Sequence, residues 1–313
     1  MLGSTPADEF RHEALVYASA AAFLTATTAF LRAGMAGGEA LMVAVDQPKI
    51  DLLRANLDGE ADQIDFVDMT EIGRNPATII PVWQDFIDAH SASGRRLRGL
   101  GEPAWPGRSA TELVECHHHE ALLNVAFAPS TPLFLLCPYD ASELGATAMA
   151  SATHTHPFVD HGDGAQRSAH FDPARVTDPF TGPLSEIPPG AAELSFDGSQ
   201  LRRCRWFLED QASGAGLDSG RTAALAVAVS EIATNSIVHG GGEGVIRTWS
   251  ADRIFICEVA DRGRITDPMA GRRRPLPDGP SGRGLWLTNH LCDLVQVRSG
   301  PAGVVVRLHM SLV

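Results

Sequence analysis

Glu231, Asn235 and His239 stand at four-residue intervals in SEIATNSIVHG, residues 230–240, directly after the apolar run AALAVAV. On an α-helix four residues advance about 400°, so the three polar groups drift only about 80° in total and share one face. A carboxylate spaced in this way from a carboxamide can do two jobs. The amide oxygen can ligate a hydrated Mg²⁺ while the carboxylate orients or deprotonates a nucleophile. The structural alternative is a buried polar pair whose members satisfy each other. His239, at the end of the run, suits either a cap on the helix C-terminus or a ligand contact.

Two later motifs fit related chemistry. DRG, Asp261 to Gly263, follows the apolar strand-like FICEVA, which sets a carboxylate acceptor at a strand end where it can meet a base edge. SGRGLWL follows the arginine- and proline-rich MAGRRRPLPDGP and places Gly282 and Gly284 at the start of a helix. Backbone amides at such a start form an anion site.

The elements that must carry these groups can be read from periodicity. After an alanine-rich helical segment, ALMVAV, QIDFVDM, RRLRGL and PLFLLCPYD read as strands. Between and after them, PKIDLLRANL, TIIPVWQDFIDAH, TELVECHHHEALLNVAF and ELGATAMASATH read as helices. This alternation implies a mostly parallel sheet flanked by helices. Residues 154–189 are rich in Gly, Pro, His and Asp and read as a linker. Beyond it come a strand, two helices, two strands, a helix and a closing hairpin, joined by short connections that imply a mixed, mostly antiparallel sheet with helices on one face. The expected domains are residues 1–160, a linker at 161–190, and residues 191–313.

Of 313 residues, 44% are hydrophobic and 20% charged, the balance of a globular chain long enough for two cores. A formal net charge of -13 opposes direct binding to nucleic acid or anionic membrane, whose phosphates select basic surfaces. Cys116, Cys137, Cys204, Cys257 and Cys292 form no CxxC pair and suit buried, reduced thiols in a cytoplasmic protein. Asp8, Glu9 and Glu13 are unlike a basic secretory leader, and AAAFLTATTAFL is too short for a membrane span.

In order and spacing, SEIATNSIVHG, DRG and GRGLWL resemble the N box, adenine-binding box and glycine box of the GHKL ATP-binding superfamily, and within it the anti-sigma-factor serine kinases. The resemblance covers about residues 190 to 313. It implies a Bergerat-type α/β sandwich with ATP and Mg²⁺ as cofactors, Glu231 as general base and Asn235 as ligand of the ATP-bound Mg²⁺. It also implies that Asp261, with Gly263 beside it, accepts from the adenine amino group, and that His239 contacts the nucleotide or caps its helix. Gly282, Arg283, Gly284 and Leu285 would lie at the phosphates, and residues 264–281 would form a lid. Arg272, Arg273 and Arg274 are then candidates for the γ-phosphate, against a solvated basic run or a partner contact. Two positions depart from the pattern: Arg264 stands where a second glycine is usual, and VVVRLHM lacks the threonine often found near its start.

The implied partners are a sigma factor and a STAS-type anti-anti-sigma antagonist phosphorylated on serine, with homodimerisation. The alternative is a non-catalytic, ligand- or nucleotide-responsive protein-binding module with a vestigial ATP site. A sensor histidine kinase would need a helical hairpin with a phosphoacceptor histidine before the ATP domain, and residues 154–189 offer none.

GMAGGEALMVAV, GEPAW, CPYD and a later HP resemble the MEDS sensory domain over about residues 10 to 160. That family is similar to a RecA-like α/β core without its phosphate loop, which fits DQPKIDLLR standing where GxxxxGK[ST] would be needed. The resemblance implies a sensor of small hydrocarbon-type molecules, with Trp105, Tyr139 and His156 lining a pocket. For each the alternative is packing, with the polar tip satisfied. ECHHHE suggests a metal site, but adjacent helical residues lie about 100° apart, so His117, His118 and His119 fan out. Only Cys116 with Glu120, or Glu115 with His119, has ligating spacing, and a partly exposed helical face is the plainer reading. His154, His156, His161 and His170 match no strong metal template.

Overall fold

ALMVAV buries all six of its side chains and forms β2 (Ala40–Val45), the kind of continuous apolar strand that only a sheet covered on both faces can hold. A computed structural model describes residues 9–173, 182–275 and 282–312, and the chain divides into two units, Met1–Thr177 and Asp178–Val313. Among the described residues no helix is long and apolar enough to cross a membrane.

In the first unit β2 is joined by β1 (Arg11–Tyr17), β3 (Ile64–Asp68), β4 (Leu97–Gly101), β5 (Leu133–Asp140), β6 (Phe158–Asp160) and β7 (Gln166–Arg167). Their order across the sheet is β3-β2-β4-β5-β1-β6-β7, and among the described residues every pairing is parallel except β6 with β7. The helices are α1 (Ala20–Ala36), α2 (Gln47–Leu57), α3 (Met69–Ile72), α4 (Ile79–His90), α5 (Ala110–Ala126) and α6 (Ala146–Thr155). Their starts are fixed locally. Asp46 caps α2 by accepting from the Lys49 amide, and Ser109 with Glu112 forms a reciprocal capping box on α5.

Two features differ from the sequence reading. β1 was not legible, because His12 and Glu13 interrupt its apolar run, yet both are buried at 1% and 5% exposure and the strand lies inside the sheet. β7 falls within residues 161–190, so the first sheet extends past the expected start of the linker.

The second unit runs β8 (Ala192–Asp197), α7 (Leu201–Gly214), α8 (Ser219–His239), β9 (Glu243–Ala251), β10 (Ile254–Asp261), α9 (Arg283–Leu291), β11 (Leu294–Gly300) and β12 (Gly303–Ser311). The sheet order is β11-β12-β10-β9-β8. Among the described residues every pairing in it is antiparallel, with none of the expected parallel admixture. Leu208, Leu225, Val229 and Ile232 from α7 and α8 share one core with Ile246, Phe255, Val306 and Leu308 from the strands. Each such side chain contributes about 1.5–3 kcal/mol by leaving water. One row crosses all five strands in register, Glu193, Arg247, Glu258, Arg307 and Gln296. In it Arg307 donates to Glu258 at 2.7 Å and to the backbone oxygen of Ser185 at 3.1 Å.

Candidate functional site

α8 starts where Asp218 accepts from the amides of Gly220 and Arg221, and it ends where the Gly240 amide donates to Ser236. Leu225, Val229, Ile232 and Ser236 fall on its buried face, and the core they join fixes the rotation of the helix. That rotation leaves Glu231 and Asn235 half-buried and His239 exposed at the C-terminus. Among the described residues no hydrogen bond ties Glu231 to Asn235, so the pair does not satisfy itself.

Asp261 closes β10 and is held from two directions. Its Oδ1 accepts from the Gly263 amide at 2.6 Å, and its Oδ2 lies 2.6 Å from the Ser236 hydroxyl. The carboxylate is therefore oriented before any ligand arrives, with lone pairs still to offer. The turn that carries it rests on the end of α8. A Cβ at Gly263 would come within 2.9 Å of the Gly240 Cα and 3.0 Å of the His239 carbonyl, so glycine is what allows this approach.

α9 is entered through Gly282 at φ +96°, a left-handed conformation that suits glycine. Its first turn lies directly on the polar pair of α8. A Cβ at Gly284 would sit 2.9 Å from Glu231 Oε2 and 3.3 Å from Asn235 Nδ2. The backbone amides of the helix start and the carboxamide thus border one space.

That space is a cavity of about 650 Å³. Asn235, His239, Asp261, Gly263, Gly282, Arg283, Gly284 and Leu285 all line it, whereas Glu231 does not. Ile232, Val304 and Val306 add an apolar floor, and β12 offers valine where a threonine is often found. Among the described residues, Arg264, Arg273, Arg274 and Arg283 line the cavity with two acids, Asp261 and Asp267. In a chain of net charge -13 this is a local reversal of sign that draws anions. Arg272 is buried at 7% exposure and, unlike Arg273 and Arg274, is not among the described residues that line the cavity. Arg264 has no left-handed backbone, so glycine is not required there. Residues 276–281, including Ser281 at the end of the expected lid, lie outside the described residues.

The size is that of a small-molecule site, and the donors match a nucleotide with its magnesium: an acceptor and apolar floor for a base, amides and arginines for phosphates, a carboxamide oxygen for a hard cation. Ser236, Gly240 and the valines of β12 were not found from sequence. Ser236 is adjacent to Asn235 in the chain, but its significance comes from Asp261, 25 residues away.

In the first unit Tyr139 on β5 and His156 just after α6 are both fully buried and meet edge to face, with ring centroids 5.6 Å apart. Trp105 is half-buried and instead stacks on the Arg108 guanidinium, 3.5 Å from its ring centroid. Arg108 is itself held by the carbonyls of Pro103 and Gly73. Within ECHHHE on α5, Glu115, Cys116, His119 and Glu120 are each at most 1% exposed, while His117 and His118 are half-buried. Burial pushes the Cys116 thiol up to about 12, which suits an inert core thiol.

Residues 11–157 match the family model of MEDS, the methanogen/methylotroph DcmR sensory domain. Residues 194–310 match the model of the histidine kinase-like ATPase domain. No curated protein matches the chain significantly. Among solved structures, the RsbU and RsbW domains of Rv1364c from Mycobacterium tuberculosis are 21% identical over 40% of this chain, with a TM-score of 0.31. The match spans 33% of that protein's length. The histidine kinase AdeS of Acinetobacter baumannii is 12% identical over 39% of this chain and 68% of its own, with a TM-score of 0.24.

Proposed function

From a chain that carries a MEDS sensory domain ahead of a histidine kinase-like ATPase domain, we infer an anti-sigma regulator that works by partner switching. In this reading the second unit binds ATP with Mg²⁺, sequesters a sigma factor, and phosphorylates a serine on a STAS-type antagonist. The observation that carries it is the convergence of α8, the β10 turn and the α9 start on one arginine-lined cavity. Asn235 holds the cation through its amide oxygen, Asp261 accepts from the adenine amino group, and the amides after Gly282, with Arg283, hold phosphate. Bound Mg²⁺·ATP supplies the phosphoryl donor and part of the charge that steadies it. Glu231 would take the proton of the partner's serine hydroxyl while that oxygen bonds to the γ-phosphorus and the bond from that phosphorus to the departing ADP oxygen breaks. Arg273 and Arg274 offset charge on the transferring group. The protein acts in the cytoplasm as a homodimer, and the first unit biases the switch through a small-molecule ligand for which the two states differ in affinity.

One observation favours a second reading. Glu231 lies outside the cavity lining, beneath Gly284, as in a module that binds nucleotide and partner without transferring phosphate. Both readings are tested by affinity capture from the native cell with wild type and Asn235→Ala, each with and without Mg²⁺·ATP, followed by mass spectrometry of captured proteins. A partner set that changes with nucleotide only in the wild type, with phosphoserine on one partner, supports the kinase. The same gating without phosphoserine supports the binding module, and identical partners in all four samples contradict both.

A further inference from the structure

Four buried side chains from four separate segments of the first unit meet at one point: His12 on β1, Glu120 on α5, Cys137 on β5, and His156 after α6. Their ligand atoms all lie within 4.8 Å of one another. Glu120 Oε2 is 3.0 Å from His12 Nε2, 3.4 Å from His156 Nε2 and 3.5 Å from Cys137 Sγ, and Cys137 Sγ is 3.4 Å from His12 Nε2. Ligand atoms held at about 2.0–2.3 Å around a tetrahedral zinc ion stand roughly 3.3–3.8 Å apart. Three of these four separations fall in that range, the 3.0 Å contact is shorter, and the whole set stays within 4.8 Å, so small side-chain adjustments give a coordination shell.

Both imidazoles are aimed by their far nitrogens. His156 Nδ1 lies 2.9 Å from the Ala152 carbonyl, which can only accept, so that nitrogen carries the hydrogen. His12 Nδ1 lies 3.2 Å from Asn124 Oδ1. The Asn124 amide cannot be flipped, because its nitrogen faces the carbonyls of Glu120, Ala121 and Thr155. Both rings therefore present Nε2 to the shared point, the arrangement by which a second shell fixes a metal-binding histidine. Among the described residues two atoms there have no hydrogen-bond partner: Glu120 Oε1, and His156 Nε2, whose approach to Oε2 lacks hydrogen-bond geometry. A fully buried polar atom left unpaired is costly, and a cation at the centre would satisfy them together.

We propose that the first unit binds one zinc-class divalent transition-metal ion through His12 Nε2, Glu120, Cys137 Sγ and His156 Nε2. The mixed nitrogen, sulfur and oxygen set excludes Mg²⁺ and Ca²⁺ as preferred ions and selects a borderline-soft one. Charge agrees: a thiolate and a carboxylate neutralise a divalent ion, the Cys137 proton leaving to solvent on binding. The proposal stands independently of the nucleotide site in the second unit.

The test is a titration of the chelator-stripped full chain with Co²⁺, read by absorption, followed by competition with Zn²⁺. One Co²⁺ per chain is expected, with the thiolate charge-transfer band and the intense d–d bands of four-coordinate cobalt, all lost as Zn²⁺ displaces it. Cys137→Ser removes the charge-transfer band and Cys116→Ser keeps it. Asn124→Ala, which removes the partner of His12 Nδ1 but no ligand, weakens binding by about 10–100-fold. Absence of Co²⁺ uptake by the folded wild type overturns the proposal, and so does a band of full intensity in folded Cys137→Ser. The wild-type titration decides the matter should a variant fail to fold.

Discussion

At the scale of single residues, Gly284 shows how position and type are joined. A methyl group there would press on Glu231 and Asn235, while a helix gains up to about 1 kcal/mol when glycine becomes alanine. Gly284→Ala should therefore keep or raise the melting temperature without nucleotide and weaken Mg²⁺·ATP binding by about tenfold or more. Calorimetric titration checks this, and unchanged affinity would contradict the placement. Glu102 gives a pH dependence. It is fully buried between the Tyr17 hydroxyl at 2.9 Å and the Lys49 ammonium at 2.8 Å, and burial outweighs both, raising its pKa to about 7 from 4.5. The folded state thus keeps a proton that the unfolded chain releases. The stability from this group is complete below the unfolded value and is lost as pH rises through about 7. Glu102→Gln, which mimics the protonated form, should flatten stability between about pH 5 and 8 in denaturant titrations. Glu231, Asn235 and Asp261 were visible in the sequence because their spacing and strand-end position are local. Ser236 was not, since its meaning depends on a carboxylate of another element, and His12 and Cys137 were hidden for the same reason.

At the scale of elements, periodicity located α8, β10 and α9 because one face of each joins a core and the other does not. It failed for β1, where buried His12 and Glu13 imitate a solvent-facing pattern. It also gave no sign that the polar row on the second sheet is covered. Arg307 and Glu258 are 2% and 3% exposed and hold each other in register. Arg307→Met alone leaves a buried carboxylate without its main partner and should cost about 3–5 kcal/mol. The double variant Arg307→Met with Glu258→Leu should recover most of that loss, since two apolar groups leave no charge uncompensated. Chemical denaturation of the two variants distinguishes them, and equal losses would mean that the pair is not what holds β10 against β12.

At the scale of the whole molecule, the chain joins a parallel-sheet unit that matches the MEDS model to an antiparallel-sheet unit that matches the histidine kinase-like ATPase model, and both architectures were readable from connection lengths. The limits of the first unit were less legible, because β6 and β7 are only three and two residues long and lie among glycines, prolines and histidines. The proposed regulation requires that the second unit hold nucleotide at all. Mass action makes this measurable: a ligand at a hundred times its Kd adds about 2.7 kcal/mol to the folded state, a shift on the order of 10 °C for a domain of this size. The deciding measurement is thermal unfolding of the full chain with and without millimolar Mg²⁺·ATP, for wild type and Asn235→Ala. A shift of that order in the wild type that is absent from Asn235→Ala is the expected result; no shift in the wild type, or an equal shift in both proteins, would contradict the account.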